Sequence, residues 1–118
     1  MARILVADDD SSVRELIISM LEIDGHDVES AATESEAVLV HDSTAPEVLV
    51  LDVHMGHGGA QEILRRLDER DPGVSCPVIV VTGDGEWQHT HPHLSAVLSK
   101  PFNLDDLRQA VSSALERP

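Results

Sequence analysis

The sequence predicts a single three-layer α/β domain, a doubly wound parallel sheet of five strands with helices on both faces. Short runs of valine, leucine and isoleucine alternate along the chain with longer segments of helical period. This alternation is typical of parallel strands joined by helical crossovers. The 118 residues can bury one core but not two. We therefore expect one domain over residues 1–118.

Five segments qualify as strands because each is short, apolar and followed by polar residues. In chain order they are residues 4–7, 26–31, 48–51, 78–81 and 96–98. The third and fourth segments are apolar at every position, which is typical of central strands that are covered on both faces. They are expected to lie in the middle of the sheet.

Four segments between and after these strands carry apolar residues at helical spacing. They are residues 12–24, 33–41, 61–71 and 104–116. Asp10 or Ser11 can cap the first helix. Thr33 begins a capping-box pattern before the second helix, and Asn103 is a similar candidate before the last.

The crossover between the fourth and fifth strands, residues 83–95, has almost no apolar stripe. Gly83, Gly85 and Pro92 disfavour a continuous helix there. We expect the helix of this crossover to be short or missing.

Composition narrows the possible partners and location. The formal net charge is −14, with 22 acidic against 8 basic residues, so the surface should repel nucleic acid and anionic membranes. No stretch is apolar enough to span a membrane, and the amino terminus does not resemble a signal peptide. We expect a cytoplasmic protein that binds neither nucleic acid nor membrane.

Polar side chains follow four of the predicted strands. The carboxyl ends of parallel strands border one crevice, so these side chains should meet there. In chain order they are Asp8, Asp9, Asp10, Asp52, Thr82, Ser99 and Lys100. Converging carboxylates repel one another unless a cation holds them ionised, and hard oxygen ligands suit Mg²⁺. The pattern therefore indicates a magnesium site.

A metal ion, a hydroxyl group and an ammonium group around one carboxylate are suited to phosphoryl transfer onto that carboxylate. Asp52 stands alone at the end of an apolar strand, whereas Asp8 and Asp9 are adjacent and better placed to hold the ion. Asp52 is therefore the predicted nucleophile.

Four stretches resemble the signature sequences of response regulator receiver domains. They read ILVADDD at residues 4–10, VLVLD at 48–52, VIVVT at 78–82 and KPF at 100–102. The resemblance covers the whole chain. It implies the flavodoxin-like fold with strand order 2-1-3-4-5.

The resemblance also implies a role for each site residue. Asp52 would be the phosphoacceptor. Asp9, Asp52 and the backbone carbonyl of His54 would bind Mg²⁺ directly, and Asp8 would act mainly through metal-bound water. Two further residues, Thr82 and Lys100, would contact the phosphoryl group. The last residue in this set, Pro101, would follow a cis peptide bond that fixes the direction of the lysine.

The implied donor is a phosphohistidine on a sensor histidine kinase or a histidine phosphotransfer protein. A downstream output protein or domain would read the phosphorylated surface, and dimerisation is possible. The chain would catalyse only its own phosphorylation and dephosphorylation, so it is expected to be a signalling switch and not an enzyme.

The chain departs from the family pattern at three places. After Asp52 it reads Val-His-Met-Gly-His-Gly-Gly, which is shorter than usual and lacks the family's proline and acidic residue. The segment between Thr82 and Lys100 is also short. The third departure is Val97, where an aromatic switch residue is common.

Two alternatives remain open. One is a receiver-like interaction module that does not switch by phosphorylation. The other is a small phosphohydrolase, since Asp8 and Asp10 fit the Asp-x-Asp motif of haloacid-dehalogenase-like enzymes. That class normally needs a longer chain and a second acidic pair after the fourth strand, which this sequence lacks.

Overall fold

The computed structural model describes residues 2–55, 58–70, 74–83 and 91–116. Within these ranges the chain forms five strands and four helices. The strands are β1 (Arg3–Ala7), β2 (Asp27–Ala31), β3 (Val48–Asp52), β4 (Val78–Thr82) and β5 (Leu94–Ser99). The helices are α1 (Ser11–Ile23), α2 (Glu34–Thr44), α3 (Gly59–Asp68) and α4 (Leu104–Leu115).

The five strands form one parallel sheet in the order β2-β1-β3-β4-β5. This confirms the predicted strand order 2-1-3-4-5. Strands β3 and β4 are buried at all five of their positions, as their uninterrupted apolar runs predict.

Helices cover both faces of the sheet, so the three-layer prediction is confirmed. Ile17 of α1 and Leu107 of α4 pack with Ile4 and Val6 against one face. On the other face, side chains of α2 and α3, including Leu67, pack in a second apolar cluster. Alternate residues of each central strand thus contribute to different halves of the core.

Three helix starts are capped by the side chains that the sequence suggested. Asp10 accepts hydrogen bonds from the Ser12 and Val13 amides. Thr33 accepts one from the Glu36 amide, and Asn103 forms a complete capping box with Asp106. Helix α3 is different, because its N-cap residue, Gly58, supplies no side-chain cap.

Several element boundaries differ from the predicted ones. Helix α2 continues to Thr44 and ends where Ala45 adopts a left-handed conformation with φ of 48°. Helix α3 begins at Gly59, two residues earlier than predicted, and its predicted end at residue 71 lies outside the described residues. Strands β3 and β4 each include one more residue, Asp52 and Thr82, because ladder pairing continues through these polar positions.

The crossover between β4 and β5 is described only in part. Its described residues are Gly83 and residues 91–93, and none of them is helical. Residues 84–90, where the short or missing helix was predicted, lie outside the described residues. Strand β5 begins at Leu94, two residues before its predicted start, and pairs with β4 through a register shift near Val78.

Every lysine and arginine of the described ranges contacts another group of the same chain. Four of them pair with acidic side chains on the surface. Two donate to backbone carbonyls, and Lys100 lies beside the carboxylates of Asp8 and Asp52. The contacts are those of Arg65 with Glu62 and Glu69, Arg66 with Glu34, Arg70 with Asp42, Arg108 with Asp24 and Asp105, Arg3 with the Thr44 carbonyl, Arg14 with the Asp8 carbonyl, and Lys100 with Asp8 and Asp52.

Cys76, the single cysteine of the chain, is buried. Burial raises the pKa of its thiol to about 11, so the thiolate is scarce in the folded protein at neutral pH.

None of the helices in the described part of the chain has the length and hydrophobicity needed to cross a membrane.

The core contribution of α4 can be measured with two leucines of the same helix. Leu107 is fully buried and Leu115 is 39% exposed. Leu107→Ala is expected to lower the free energy of unfolding by about 2–5 kcal/mol, because it removes buried methyl groups and leaves a cavity. Leu115→Ala should cost well under half of that. Urea denaturation of both variants tests the difference, and equal losses would contradict this packing.

Candidate functional site

The parallel register brings the predicted site residues together. Ala7 of β1 pairs with Leu51 of β3, so the residues that follow them, Asp8 and Asp52, lie at adjacent strand ends. Pairing then continues outward from β3 through β4 to β5, where Thr82 lies opposite Ser99. The polar residues therefore line one edge of the sheet, as predicted from the strand ends.

Three carboxylates form a cluster at this edge, which we call the acidic cluster: Asp8, Asp9 and Asp52. One carboxylate oxygen from each lies within 4.8 Å of the others. Asp8 and Asp52 are buried, and Asp9 is exposed. Asp10 is not part of this group, and its carboxylate caps α1 instead.

The two oxygens of Asp8 have different surroundings. Oδ1 accepts a hydrogen bond of 2.9 Å from the Asp10 amide. Oδ2 is buried and has no hydrogen-bond partner in the described part of the chain. Burial is the main reason why the pKa of Asp8 is raised, and the charges of Asp52 and Asp9 add to the effect. A buried carboxylate oxygen without a hydrogen-bond partner, beside two other carboxylates, fits a divalent cation with oxygen ligands.

Lys100 is the cation that faces the acidic cluster. Its Nζ lies 3.5 Å from Oδ1 of Asp52 and 3.8 Å from Oδ2 of Asp8. The backbone amide of Lys100 donates to the Thr82 carbonyl at 2.7 Å, and the Lys100–Pro101 peptide bond is cis. Among the described residues, one ammonium group thus faces a cluster of three carboxylates, which leaves a surplus of negative charge at this edge.

The loop between β3 and α3 follows Asp52 and contains His54, whose side chain is exposed. Residues 56 and 57 lie outside the described residues. The loop closes where the Gly59 amide donates to the Met55 carbonyl at 2.7 Å. Gly59 has φ of 63°, and a Cβ atom there would lie 1.7 Å from the Val53 carbonyl oxygen. Glycine is required at this position for both reasons.

Two side-chain contacts, one at the acidic cluster and one at the loop that follows Asp52, were not among the predicted features of the site. Arg14 donates from Nη1 to the backbone carbonyl of Asp8 at 2.8 Å. Its signal in the sequence was weak: Arg14 is the only basic residue of α1 and follows the acidic run by one helical turn. Glu34 accepts a hydrogen bond from the Gly58 amide, 24 residues away, at 3.1 Å. No local pattern indicates that contact.

A doubly wound parallel sheet with carboxylates at the ends of β1 and β3, and a lysine after β5, defines a receiver-type signalling domain. The family model described as the response regulator receiver domain matches residues 4–112. The chain belongs to this family, so the resemblance noted in the sequence is confirmed.

Curated relatives support the same assignment. The transcriptional regulatory protein TrcR of Mycobacterium tuberculosis is 33% identical over 126 residues, an alignment that covers 98% of this chain and 48% of TrcR. The response regulator MprA of Mycobacterium avium is 36% identical over 119 residues, which covers 98% of this chain and 51% of MprA. The chain thus spans about half the length of these curated relatives.

Solved structures share the fold over nearly the whole chain. A response regulator receiver domain protein from Clostridium thermocellum has a TM-score of 0.83 and 29% identity, covering 99% of this chain and 96% of that one. The chemotaxis response regulator CheY4 of Vibrio cholerae has a TM-score of 0.83 and 25% identity, covering 98% of this chain and 99% of that one.

The close approach at Gly59 can be tested against a second glycine of positive φ. At Gly25, with φ of 83°, an added Cβ would meet nothing within 4 Å. Gly25→Ala is expected to cost about 1–2 kcal/mol, the penalty of a left-handed alanine. Gly59→Ala should cost clearly more, because the Cβ atom also displaces the Val53 carbonyl. Urea denaturation measures both losses, and a Gly59→Ala loss no larger than that of Gly25→Ala would refute the tight approach.

Proposed function

We propose that this receiver domain is the phosphoacceptor of a two-component or phosphorelay system, with Asp52 taking the phosphoryl group in a Mg²⁺-dependent reaction. The observation that carries the proposal is the position of Asp52. Its buried carboxylate belongs to the acidic cluster and has the ammonium group of Lys100 3.5 Å away. The donor is a phosphohistidine on a sensor histidine kinase or a histidine phosphotransfer protein.

The residues that would hold the metal are Asp9, Asp52 and the backbone carbonyl of His54, with Asp8 acting mainly through metal-bound water. The clustered oxygens and the unsatisfied Oδ2 of Asp8 support this assignment. When bound, Mg²⁺ supplies positive charge that neutralises the carboxylates and the oxygens of the incoming phosphoryl group.

The transfer itself needs few groups of the protein. A carboxylate oxygen of Asp52 attacks phosphorus while the bond from phosphorus to the donor imidazole nitrogen breaks, and the electron pair of that bond stays on the nitrogen. The Thr82 hydroxyl and the Lys100 ammonium contact the phosphoryl oxygens and stabilise their charge. Hydrolysis of the acyl phosphate returns the carboxylate. The domain thereby catalyses only its own phosphorylation and dephosphorylation.

The acyl phosphate changes the charge at the edge of the sheet and biases a surface that an output protein or domain reads. Val97 on β5 is 42% exposed and gives this surface an aliphatic side chain in place of an aromatic switch.

The curated relatives are about twice as long as this chain, which supports an output domain in the same polypeptide. The receiver can also form a dimer. The net charge of −14 argues against direct binding of nucleic acid or anionic membrane.

We also propose a cytoplasmic location for the receiver. Its single cysteine cannot form a disulfide within this chain, which agrees with a reducing compartment.

The nucleophile is tested by intact mass after incubation with Mg²⁺ and acetyl phosphate. The parent protein is expected to gain one phosphoryl group that hydroxylamine removes, and Asp52→Asn should gain none. Asp10→Asn is the matched control, because Asp10 caps α1 outside the acidic cluster and asparagine caps equally well. It should react like the parent.

Each contrary outcome has a distinct meaning. An adduct that persists in Asp52→Asn would identify another nucleophile. A parent protein that gains no phosphoryl group would refute the switch and favour a non-switching interaction module.

The raised pKa of Asp8 gives a second test. The stabilisation from protonated Asp8 is complete below pH 3.8, the ordinary aspartate value, and is lost as the pH rises through the higher pKa of the folded state. Ionised Asp8 therefore destabilises the metal-free fold near neutral pH. Asp8→Asn is expected to raise the thermal midpoint in the presence of a chelator and to reduce the further gain that Mg²⁺ gives the parent.

Thermal unfolding with and without Mg²⁺ measures both effects, and Asp10→Asn is again the control. A midpoint of Asp8→Asn below that of the metal-free parent would show that the buried charge does not destabilise the fold.

A further inference from the structure

Helix α3 begins at a residue that cannot cap it with a side chain. Its N-cap residue is Gly58, which makes no side-chain cap, and the loop from Asp52 to Gly59 contains no other acidic residue. The first amides of a helix have no partner within the helix and need an acceptor from elsewhere. In this chain the acceptor for Gly58 comes from a different helix.

Glu34 supplies that acceptor from the first turn of α2. Its Oε1 accepts a hydrogen bond of 3.1 Å from the Gly58 amide, and its Oε2 lies 4.0 Å from Nη1 of Arg66 on α3. The side chain of Glu34 is 17% exposed, so most of its surface is covered by the protein. One carboxylate thus joins α2 to both the start and the middle of α3.

The contact at Gly58 is coupled by close packing to the rest of the loop between β3 and α3, which we call the phosphoacceptor loop. Gly59 has no space between its Cα atom and the Val53 carbonyl, since a Cβ there would lie 1.7 Å from that oxygen. The Ala60 amide donates to the same carbonyl at 3.3 Å. Val53 and Met55, the two neighbours of His54, therefore accept hydrogen bonds from the residues that directly follow Gly58.

We infer that Glu34 is a positioning residue for the phosphoacceptor loop, acting on Mg²⁺ affinity through Gly58 and the His54 carbonyl. The inference rests on the proposed function. Glu34 of α2 would then take the place of the acidic residue that the family carries in this loop and that this chain lacks there. Outer groups that orient metal ligands typically change metal affinity by roughly 10- to 100-fold when removed.

Glu36 provides a matched control on the same helix turn. Its Oε1 accepts a hydrogen bond of 3.0 Å from the Ala32 amide, so it has the same charge and the same kind of acceptor role. That bond lies at the start of α2 and has no contact with the phosphoacceptor loop in the described part of the chain. Replacing either glutamate removes one carboxylate from the first turn of α2.

The experiment compares Glu34→Ala, Glu34→Gln, Glu36→Ala and Glu36→Gln in three measurements. Exchange of the Gly58 amide, followed by NMR without metal, should become faster in Glu34→Ala alone among the alanine variants. The Kd for Mg²⁺ should rise by about tenfold in Glu34→Ala and stay within about twofold in Glu36→Ala. Glu34→Gln should lie between the parent and Glu34→Ala, because a neutral acceptor bonds roughly half as strongly as a charged one.

The third measurement separates positioning from a general loss of structure. With acetyl phosphate, the phosphorylation rate of Glu34→Gln should return to that of the parent at saturating Mg²⁺, so the variant changes the concentration of metal that is needed and not the limiting rate. A limiting rate that stays low would overturn the inference. So would a Gly58 exchange rate or a Mg²⁺ Kd that is the same in the Glu34 and Glu36 variants.

Failure of the proposed function would have a different signature. In that case the parent protein itself would not bind Mg²⁺ or gain a phosphoryl group. The inference about Glu34 would then fall with it, whereas a normal parent and normal Glu34 variants would refute the inference alone.

Discussion

The buried carboxylates at the ends of β1 and β3 carry more negative charge than one ammonium group can neutralise, and the arrangement of the site follows from that imbalance. The parallel register forces Asp8 and Asp52 together. Both side chains are buried there. Lys100 approaches both at the margin of ion-pair distance. The fold therefore maintains an electrostatic cost at one edge, which a divalent cation with oxygen ligands can offset.

Much of the fold was predictable because the central strands are covered on both faces. An uninterrupted apolar run such as that of β3 is typical of a strand with both faces buried, as in the middle of a parallel sheet. The same pattern placed the ends of β3 and β4 one residue too early, since hydrophobicity stops at Asp52 and Thr82 while backbone pairing continues. Helix α2 was predicted too short because its end depends on the left-handed conformation of Ala45, which no residue preference indicates.

The acidic cluster was predictable for a related reason. Strand ends can be recognised in the sequence, and topology then determines which of them meet. Contacts that cross between helices have no such signal. The bond from Glu34 to Gly58 depends on how α2 and α3 pack, and the bond from Arg14 to the Asp8 carbonyl depends on the direction in which α1 leaves the sheet. The roles of Thr82 and Lys100 toward a phosphoryl group remain predictions.

Every described lysine and arginine contacts another group of the same chain, and this affects how charged molecules reach the crevice. Most of these positive charges lie beside carboxylates, and acidic residues outnumber basic ones by 22 to 8, so the acidic excess determines the potential at a distance. A small anion that diffuses toward the crevice is repelled before it meets Lys100, and a cation is drawn in. Dissolved salt shortens the reach of this potential to about 10 Å at 0.1 M. Higher ionic strength therefore speeds the approach of an anion to the crevice and slows the approach of a cation.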